Sequence, residues 1–316
     1  MKKISVVIPC YNEENSVIEM YERLTSIFGN QLPQYDYEII YVDDFSTDKT
    51  REKIREICTK DKKVKAYFNA KNFGFHRNVF SALQYGIGDA VFLLFGDLQD
   101  PPEKLVDFVK HWEEGHKVVI GQKKHSDEGF VMTCCRRIYY KVINALSDTE
   151  QIEMYNGFGL YDRSFIDTIK DIDDVSPYLK QVILEYAPDM YIEKYDHAES
   201  MRGKSNFNFM KNYDFAMQGI TSSTKLLLRM ATFIGAILGV VCLLIAIWVF
   251  VHKLLNWEAY PAGMASVLIG VFMVGAVQLF FIGILGEYVL SINTKVVKKP
   301  RVVIGETINV EEEFED

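Results

Sequence analysis

The 316-residue sequence has no GxxxxGK[ST] segment and no GxGxxG run behind a strand-like stretch. Neither a P-loop nor a dinucleotide fingerprint is available to hold phosphate. Its five cysteines, Cys10, Cys58, Cys134, Cys135 and Cys242, contain no CxxC spacing, which argues against a disulfide framework or a zinc site. An excess of basic residues is also lacking. Lys plus Arg is 35 against 43 for Asp plus Glu, a formal charge of −8, which argues against a broad basic face for nucleic acid and leaves room only for a local basic patch. The N-terminus, Met-Lys-Lys followed by Ile4 to Pro9, is too short in apolar residues for a signal peptide and reads as a strand.

Charge is missing again over two long runs. Residues 230–251 form 22 positions without a charged side chain and residues 259–286 another 28. Each exceeds the roughly 20 residues needed to cross a hydrocarbon core. The expectation is a transmembrane hairpin over 229–290, with spans at about 230–251 and 262–286. Lys225 and Arg229 lie before it, and Lys295, Lys298, Lys299 and Arg301 after it, whereas its connection carries one lysine. The positive-inside rule then puts both outer flanks, both termini and the preceding domain on the cytoplasmic side. Segment 206–228 alternates aromatic and polar residues and reads either as an interfacial amphipathic helix or as a packed connector. Residues 291–316 form a cytoplasmic tail, acidic from Glu306 and expected to be solvated.

The first 205 residues have a different texture. Ile4–Ile8, Glu38–Val42, Val64–Phe68, Ala90–Phe95 and Val118–Ile120 are short, apolar and rich in β-branched or aromatic residues, as buried strands are. Between them apolar residues recur at helical spacing: Val17, Tyr21, Leu24 and Phe28; Ile54, Ile57 and Cys58; Leu105, Phe108, Val109 and Trp112. Alternating strand and helix predicts an α/β domain, a mostly parallel sheet covered on both faces. Ligands of such sheets bind beyond the carboxyl ends of the strands.

Those ends carry the chemistry. Pro9-Cys10-Tyr11-Asn12-Glu13-Glu14 follows the first strand, Asp43-Asp44-Phe45-Ser46-Thr47-Asp48 the second, and Gly96-Asp97-Leu98-Gln99-Asp100-Pro101-Pro102-Glu103 the fourth. Ser46, Thr47 or Asp48 is expected to cap the next helix, and Asp100 to cap the helix opened by the prolines. That leaves Asp43, Asp44, Asp97 and Gln99 free for a ligand. Clustered hard oxygens in a crevice suit a divalent cation, and a divalent cation suits a diphosphate. His76 has no spaced His or Cys partner and reads as a core or surface residue.

Together SVVIPCYNEE, EIIYVDDFSTDKT, NFGFHRNVFSALQYGIGDAVFLLFGDLQDPPE and NGFGLYDR resemble family 2 glycosyltransferases of the GT-A fold. With the two apolar runs and the closing LGEY at 285–288, the chain is similar to the polyprenyl-phosphate glycosyltransferases, relatives of dolichyl-phosphate mannose synthase. The resemblance covers the chain to about residue 305. It implies a Rossmann-like GT-A domain that transfers a sugar from a nucleotide diphosphate sugar, a UDP-sugar in the first instance, to a polyprenyl phosphate at the cytoplasmic membrane face. It implies that Pro9, Tyr11, Glu13, Asp43 and Asp44 line the nucleotide pocket, and that Asp97 and Gln99 hold Mg²⁺ or Mn²⁺ against the diphosphate. Arg136, Arg137, Arg202 and Lys204 stand where relatives carry cations for the acceptor phosphate, although Gly203-Lys204-Ser205-Asn206 departs from the usual Gly-Glu-Ser-Lys.

Three further departures matter. Phe95 replaces the first aspartate of Asp-x-Asp-Leu-Gln, Phe45 replaces the glycine of Asp-Asp-Gly-Ser, and Gly157 stands where many relatives carry an aspartate assigned as a base. Glu185 is then the best remaining candidate for a catalytic base. A phosphate acceptor ionised at neutral pH has little need of one. Two rivals stay open: a processive polysaccharide synthase, for which the usual Gln-x-x-Arg-Trp motif is absent, and a membrane scaffold that kept the fold without catalysis. Oligomeric state is also open.

Overall fold

Eight strands share one sheet in the order β7-β5-β6-β4-β1-β2-β3-β8. They are β1 (Lys3–Cys10), β2 (Asp36–Asp43), β3 (Val64–Asn69), β4 (Ala90–Leu93), β5 (Val118–Lys123), β6 (Gly159–Asp162), β7 (Met190–Tyr195) and β8 (Ile304–Ile308). Among the described residues of the sheet domain they are accompanied by helices α1 (Val17–Asn30), α2 (Thr50–Lys60), α3 (Phe75–Tyr85), α4 (Lys104–Glu113), α5 (Arg163–Lys170) and α6 (Leu179–Tyr186). This computed structural model describes residues 1–124, most of 152–196, scattered helical positions between 237 and 292, and 300–310. Among the described residues no helix is long and apolar enough to cross a membrane, and the two uncharged runs lie for most of their length outside them. Segment 206–228 lies outside them altogether.

The half built of β4, β1, β2 and β3 is parallel throughout. Its strands are apolar along both faces because helices cover both. Ile4, Val6, Val7, Ile8, Ile39, Ile40, Tyr41 and Val42 are all fully buried. The helix stripes fall where the periodicity puts them, with one change of phase. In α1 the buried set is Val17, Met20, Leu24, Ile27 and Phe28. Tyr21 instead stands at the margin, where its hydroxyl donates to Asp61 Oδ2 at 3.1 Å. A phenol with a polar tip is better placed at a wet edge than in the stripe.

Two features depart from a plain alternating α/β pattern. Strand β6 runs antiparallel to both β4 and β5. Strand β8, more than two hundred residues after β3, pairs antiparallel with it and closes that edge. Glu306, expected in a solvated tail, sits in β8 with its carboxylate on the Arg55 guanidinium at 2.6 and 3.1 Å. Asn309 then donates its side-chain amide to the Cys58 and Val64 carbonyls at 2.7 and 2.8 Å. Arg301 donates to the Asp174 carbonyl at 2.9 Å and to Gln84 Oε1 at 3.0 Å. Residues 301–309 therefore belong to the sheet domain, because an unpaired edge strand accepts any chain that returns to it.

Candidate active site

Strand β1 leads to β2 on one side and is flanked by β4 on the other, so the chain's direction of winding reverses between β1 and β4. At such a switch point the following loops diverge and leave a crevice. At the floor of that crevice the loop after β1 and the loop after β4 approach closely at Gly96. A Cβ built on Gly96 would stand 3.0 Å from Cys10 Sγ and 3.2 Å from Glu13 Cγ. Ser16 Oγ donates to the Gly96 carbonyl at 2.5 Å, and the Glu13 amide donates to Thr50 Oγ1 at 2.7 Å. Pro9 and Glu13 are buried, whereas Tyr11 between them is 42% exposed.

On the β2 side the loops are stitched polar group by polar group. The Asp44 amide donates to the Cys10 carbonyl at 2.9 Å, the Asn12 amide to Ser46 Oγ at 2.8 Å, and the Thr47 amide to Asn12 Oδ1 at 2.8 Å. None of the three expected caps stands at the N-cap of α2, which is Lys49 and makes no side-chain cap bond; Asp48, one residue before it, accepts from the Thr50 amide at 2.9 Å. Asp44, expected to be free, is not. Its Oδ1 accepts from Asn69 Nδ2 at 2.8 Å and from the Phe73 amide at 2.9 Å, and its Oδ2 accepts from the Gly74 amide at 2.9 Å. It shapes the turn into α3, where Gly74 has a φ of +90°. Asn69 and Asn78 complete this network, and the visible signal for the first was an amide closing an apolar strand.

Asp43 differs from its neighbour. It is fully buried, its Oδ2 accepts from the Ser46 amide at 3.1 Å and lies 3.4 Å from Arg51 Nε, and its Oδ1 has no hydrogen-bond partner. Burial pushes this carboxyl above the ordinary range, and the Ser46 and Arg51 contacts only partly oppose it. A buried acceptor with spare capacity asks for an N–H donor from a ligand.

On the β4 side two carboxylates lie close together. Asp97, partly buried, has its pKa pushed up to about 6, first by burial and then by the negative charge of Asp100. Its Oδ1 accepts from the Gln99 amide at 3.2 Å. Asp100, expected as a helix cap, is instead 1% exposed and held by side chains from other strands. Asn156 Nδ2 donates to its Oδ2 at 2.8 Å, the Tyr195 hydroxyl donates to Oδ1, and Lys123 Nζ lies 3.8 Å from Oδ1. The N-cap position of α4 falls on Glu103. Asp100 thus ties the loop after β4 to the ends of β5 and β7 and to the turn before β6.

Among the described residues no group of three or more His, Cys, Asp or Glu side chains is arranged to hold a metal ion by itself. The Asp97 carboxylate and Gln99 amide still suit one that takes its remaining oxygens from a diphosphate, since they are hard donors and a cation there relieves the repulsion between Asp97 and Asp100. Phe95 occupies the place of the second carboxylate. Its ring is buried and stacked on Phe75 at 5.5 Å between centroids, with Gly157 packed over it. His76 beside them is half-buried, and its pKa falls to about 4 through desolvation and then the charge of Lys180, so it is neutral.

Glu185 is exposed in the last turn of α6. Leu179, six residues earlier, is the residue that approaches Gly157, and six residues of helix rise about 9 Å. No hydrogen bond among the described residues joins Glu185 to the Asp97 loop. Arg136, Arg137, Arg202 and Lys204 lie outside the described residues.

A mostly parallel α/β sheet with acidic and aromatic residues at its switch point and no phosphate loop is the arrangement of a nucleotide-sugar-dependent transferase of the GT-A type. The model of the family described as glycosyl transferase family 2 matches residues 5–170, more than half of the chain, and the chain belongs to that family. It is a glycosyltransferase. It is 29% identical over 303 residues to the SfII prophage-derived bactoprenol glucosyl transferase of Shigella flexneri, covering 96% of this chain and 97% of that one. A putative glycosyltransferase of Bacillus subtilis, CsbB, is also 29% identical, over 96% of this chain and 91% of its own. Among solved structures, glucosyl-3-phosphoglycerate synthase from Mycobacterium tuberculosis, in complex with Mn²⁺, UDP and glucosyl-3-phosphoglycerate, shares the fold. The TM-score is 0.51 at 18% identity, over 70% of this chain and 78% of that one.

Proposed function

We propose that the protein transfers a sugar from a UDP-sugar to a polyprenyl phosphate, at the cytoplasmic face of a membrane that its own chain crosses twice. The observation that carries the transfer reading is the meeting of the loops after β1, β2 and β4 at one switch point, with Asp43 Oδ1 unpartnered on one side and Asp97 on the other. Asp43 accepts the ring N–H of the base, and Tyr11 lies beside it. Asp97 and Gln99 would hold the cation, and Mg²⁺ or Mn²⁺ there would supply neutralisation of the diphosphate's charge. The polyprenyl acceptor rests on the similarity to a bactoprenol glucosyl transferase along nearly the whole chain.

An acceptor phosphate already ionised at pH 7 needs alignment and cations more than a base. Arg136, Arg137, Arg202 and Lys204 supply those cations in this reading, and Glu185 at most orients the acceptor. Attack of the phosphate oxygen at the anomeric carbon, opposite the leaving diphosphate, inverts the configuration there.

The sheet supports the membrane part of the proposal. Strand β7 ends at Tyr195 and β8 begins at Ile304, and both belong to the same sheet. A chain that leaves one body and returns to it crosses a bilayer an even number of times, which suits spans at about 230–251 and 262–286. A cysteine placed at 253–258 should react with an impermeant reagent from outside intact cells. The opposite labelling would overturn the topology.

The decisive experiment incubates the purified full chain in detergent with a panel of nucleotide sugars, Mn²⁺ and a polyprenyl phosphate. A lipid-linked monosaccharide is the expected product. A polymer would move the assignment to a processive synthase, and no product with any donor would leave a scaffold.

A further inference from the structure

Phe45 combines three properties that its own fold does not explain. Its backbone is left-handed, with a φ of +64°, a conformation that glycine adopts freely and a bulky side chain does not. Its ring is 40% exposed, so burial does not compensate the strain. It also follows the Asp43-Asp44 pair at the carboxyl end of β2, with the Arg51 guanidinium 5.5 Å from its ring centroid and 4.9 Å from that of Phe68. Strained residues of this kind cluster where a ligand is held.

We propose that the Phe45 ring is a stacking platform for the donor's nucleobase, a specificity contact that the glycine usual at this motif position does not make. The inference rests on the transferase reading and extends it to a residue peculiar to this chain. Three observations on different elements support a flat, uncharged aromatic occupant. Tyr11 at the end of β1 is also exposed, and β1 and β2 are hydrogen-bonded neighbours up to the pair Cys10 and Asp43. Asp43, two residues before Phe45, presents a buried acceptor without a partner, which a base with a ring N–H satisfies and a hydrocarbon does not. Finally, β2 and β4 are separated by β1 alone, so the Phe45 and Asp97 loops stand about 10 Å apart across the strand ends. A nucleoside diphosphate lying over those ends puts its base at Phe45 and its diphosphate at Asp97.

The alternative is that the ring merely covers Asp43 and Arg51. The two roles move stability and affinity differently. Phe45→Gly removes both the ring and the left-handed strain. A platform therefore loses affinity while thermal stability is kept or raised, whereas a cover loses both.

The test titrates UDP, GDP, CDP and ADP into the purified full chain by calorimetry, and repeats the tightest of the four with Phe45→Gly, Phe45→Leu and Phe45→Trp, recording Tm for each. Stacking of one base on one ring predicts a loss of about tenfold in affinity for Phe45→Gly and for Phe45→Leu. Phe45→Trp should bind within about threefold of the unmodified chain. The corresponding nucleoside without phosphates should show the same loss, since the contact is with the base. If the unmodified chain binds and Phe45→Leu binds equally well, the platform is overturned and the transferase reading stands. If Phe45→Gly loses affinity only together with a fall in Tm, the ring is a cover and the platform is overturned. If the unmodified chain binds none of the four, the transferase reading fails and the platform with it.

Discussion

The two sides of the crevice are built on opposite electrostatic terms. On the β2 side Asp44 is surrounded by three donors, while Asp43 Oδ1, Arg51 Nε and Asn69 Oδ1 are buried without a hydrogen-bond partner. On the β4 side burial, and after it the negative charge of Asp100, raises the cost of charging Asp97. The first side holds its carboxylates by hydrogen bonds from the protein and keeps two buried acceptors with spare capacity, Asp43 Oδ1 and Asn69 Oδ1. The second is strained by like charge until a cation arrives. A nucleotide sugar has the matching asymmetry, a neutral base at one end and a diphosphate at the other.

The largest test of this contrast is Asp97→Asn. Transfer should fall by about a thousandfold, because the charge that holds the cation is gone. Thermal stability should hold or rise, since repulsion from Asp100 is relieved. A melting curve alongside the transfer assay checks both, and a coupled loss of fold would show that Asp97 is structural. On the other side, Asp44→Ala strands the Asn69 amide and the Phe73 and Gly74 N–H groups. It should cost about 3 kcal/mol in denaturant unfolding. A cost near zero would mean that the β2 side is not organised by this carboxylate.

The pH dependence of the metal-free protein sharpens the same point. Asp97 has a folded pKa of about 6, above the ordinary carboxylate value, so its contribution is favourable at pH below about 4 and is lost as pH rises through 6. In EDTA, the stability difference between Asp97→Asn and the unmodified chain should grow in favour of the variant between pH 4 and 7, to about 3 kcal/mol. Added Mn²⁺ should shrink it. The smallest effect belongs to the sheet edge. Arg55 and Glu306 are each 40% exposed, so Glu306→Ala should cost less than about 1 kcal/mol in the same unfolding experiment.

The parallel half of the sheet, its helix stripes and the carboxyl-end loops were legible from the sequence, because strand and helix periodicities are local and both faces of a parallel sheet must be apolar. The family was legible too, through four motifs in order. What each carboxylate does was not. Asp43, Asp44, Asp97 and Asp100 look alike in a string, and two of them were read wrongly. Asp44 seemed free and is saturated, because Asn69 and the Phe73–Gly74 turn arrive from other elements. Asp100 seemed a cap and is buried, because Asn156 and Tyr195 reach it from 56 and 95 residues away. Glu306 seemed part of a solvated tail and is paired in a strand with an arginine 251 positions earlier. Composition and periodicity are set by each residue's own neighbours along the chain and determined the class of fold. The ionisation and hydrogen-bond partners of a carboxylate depend on which distant segments the packed sheet brings to it, and only the tertiary structure decided those.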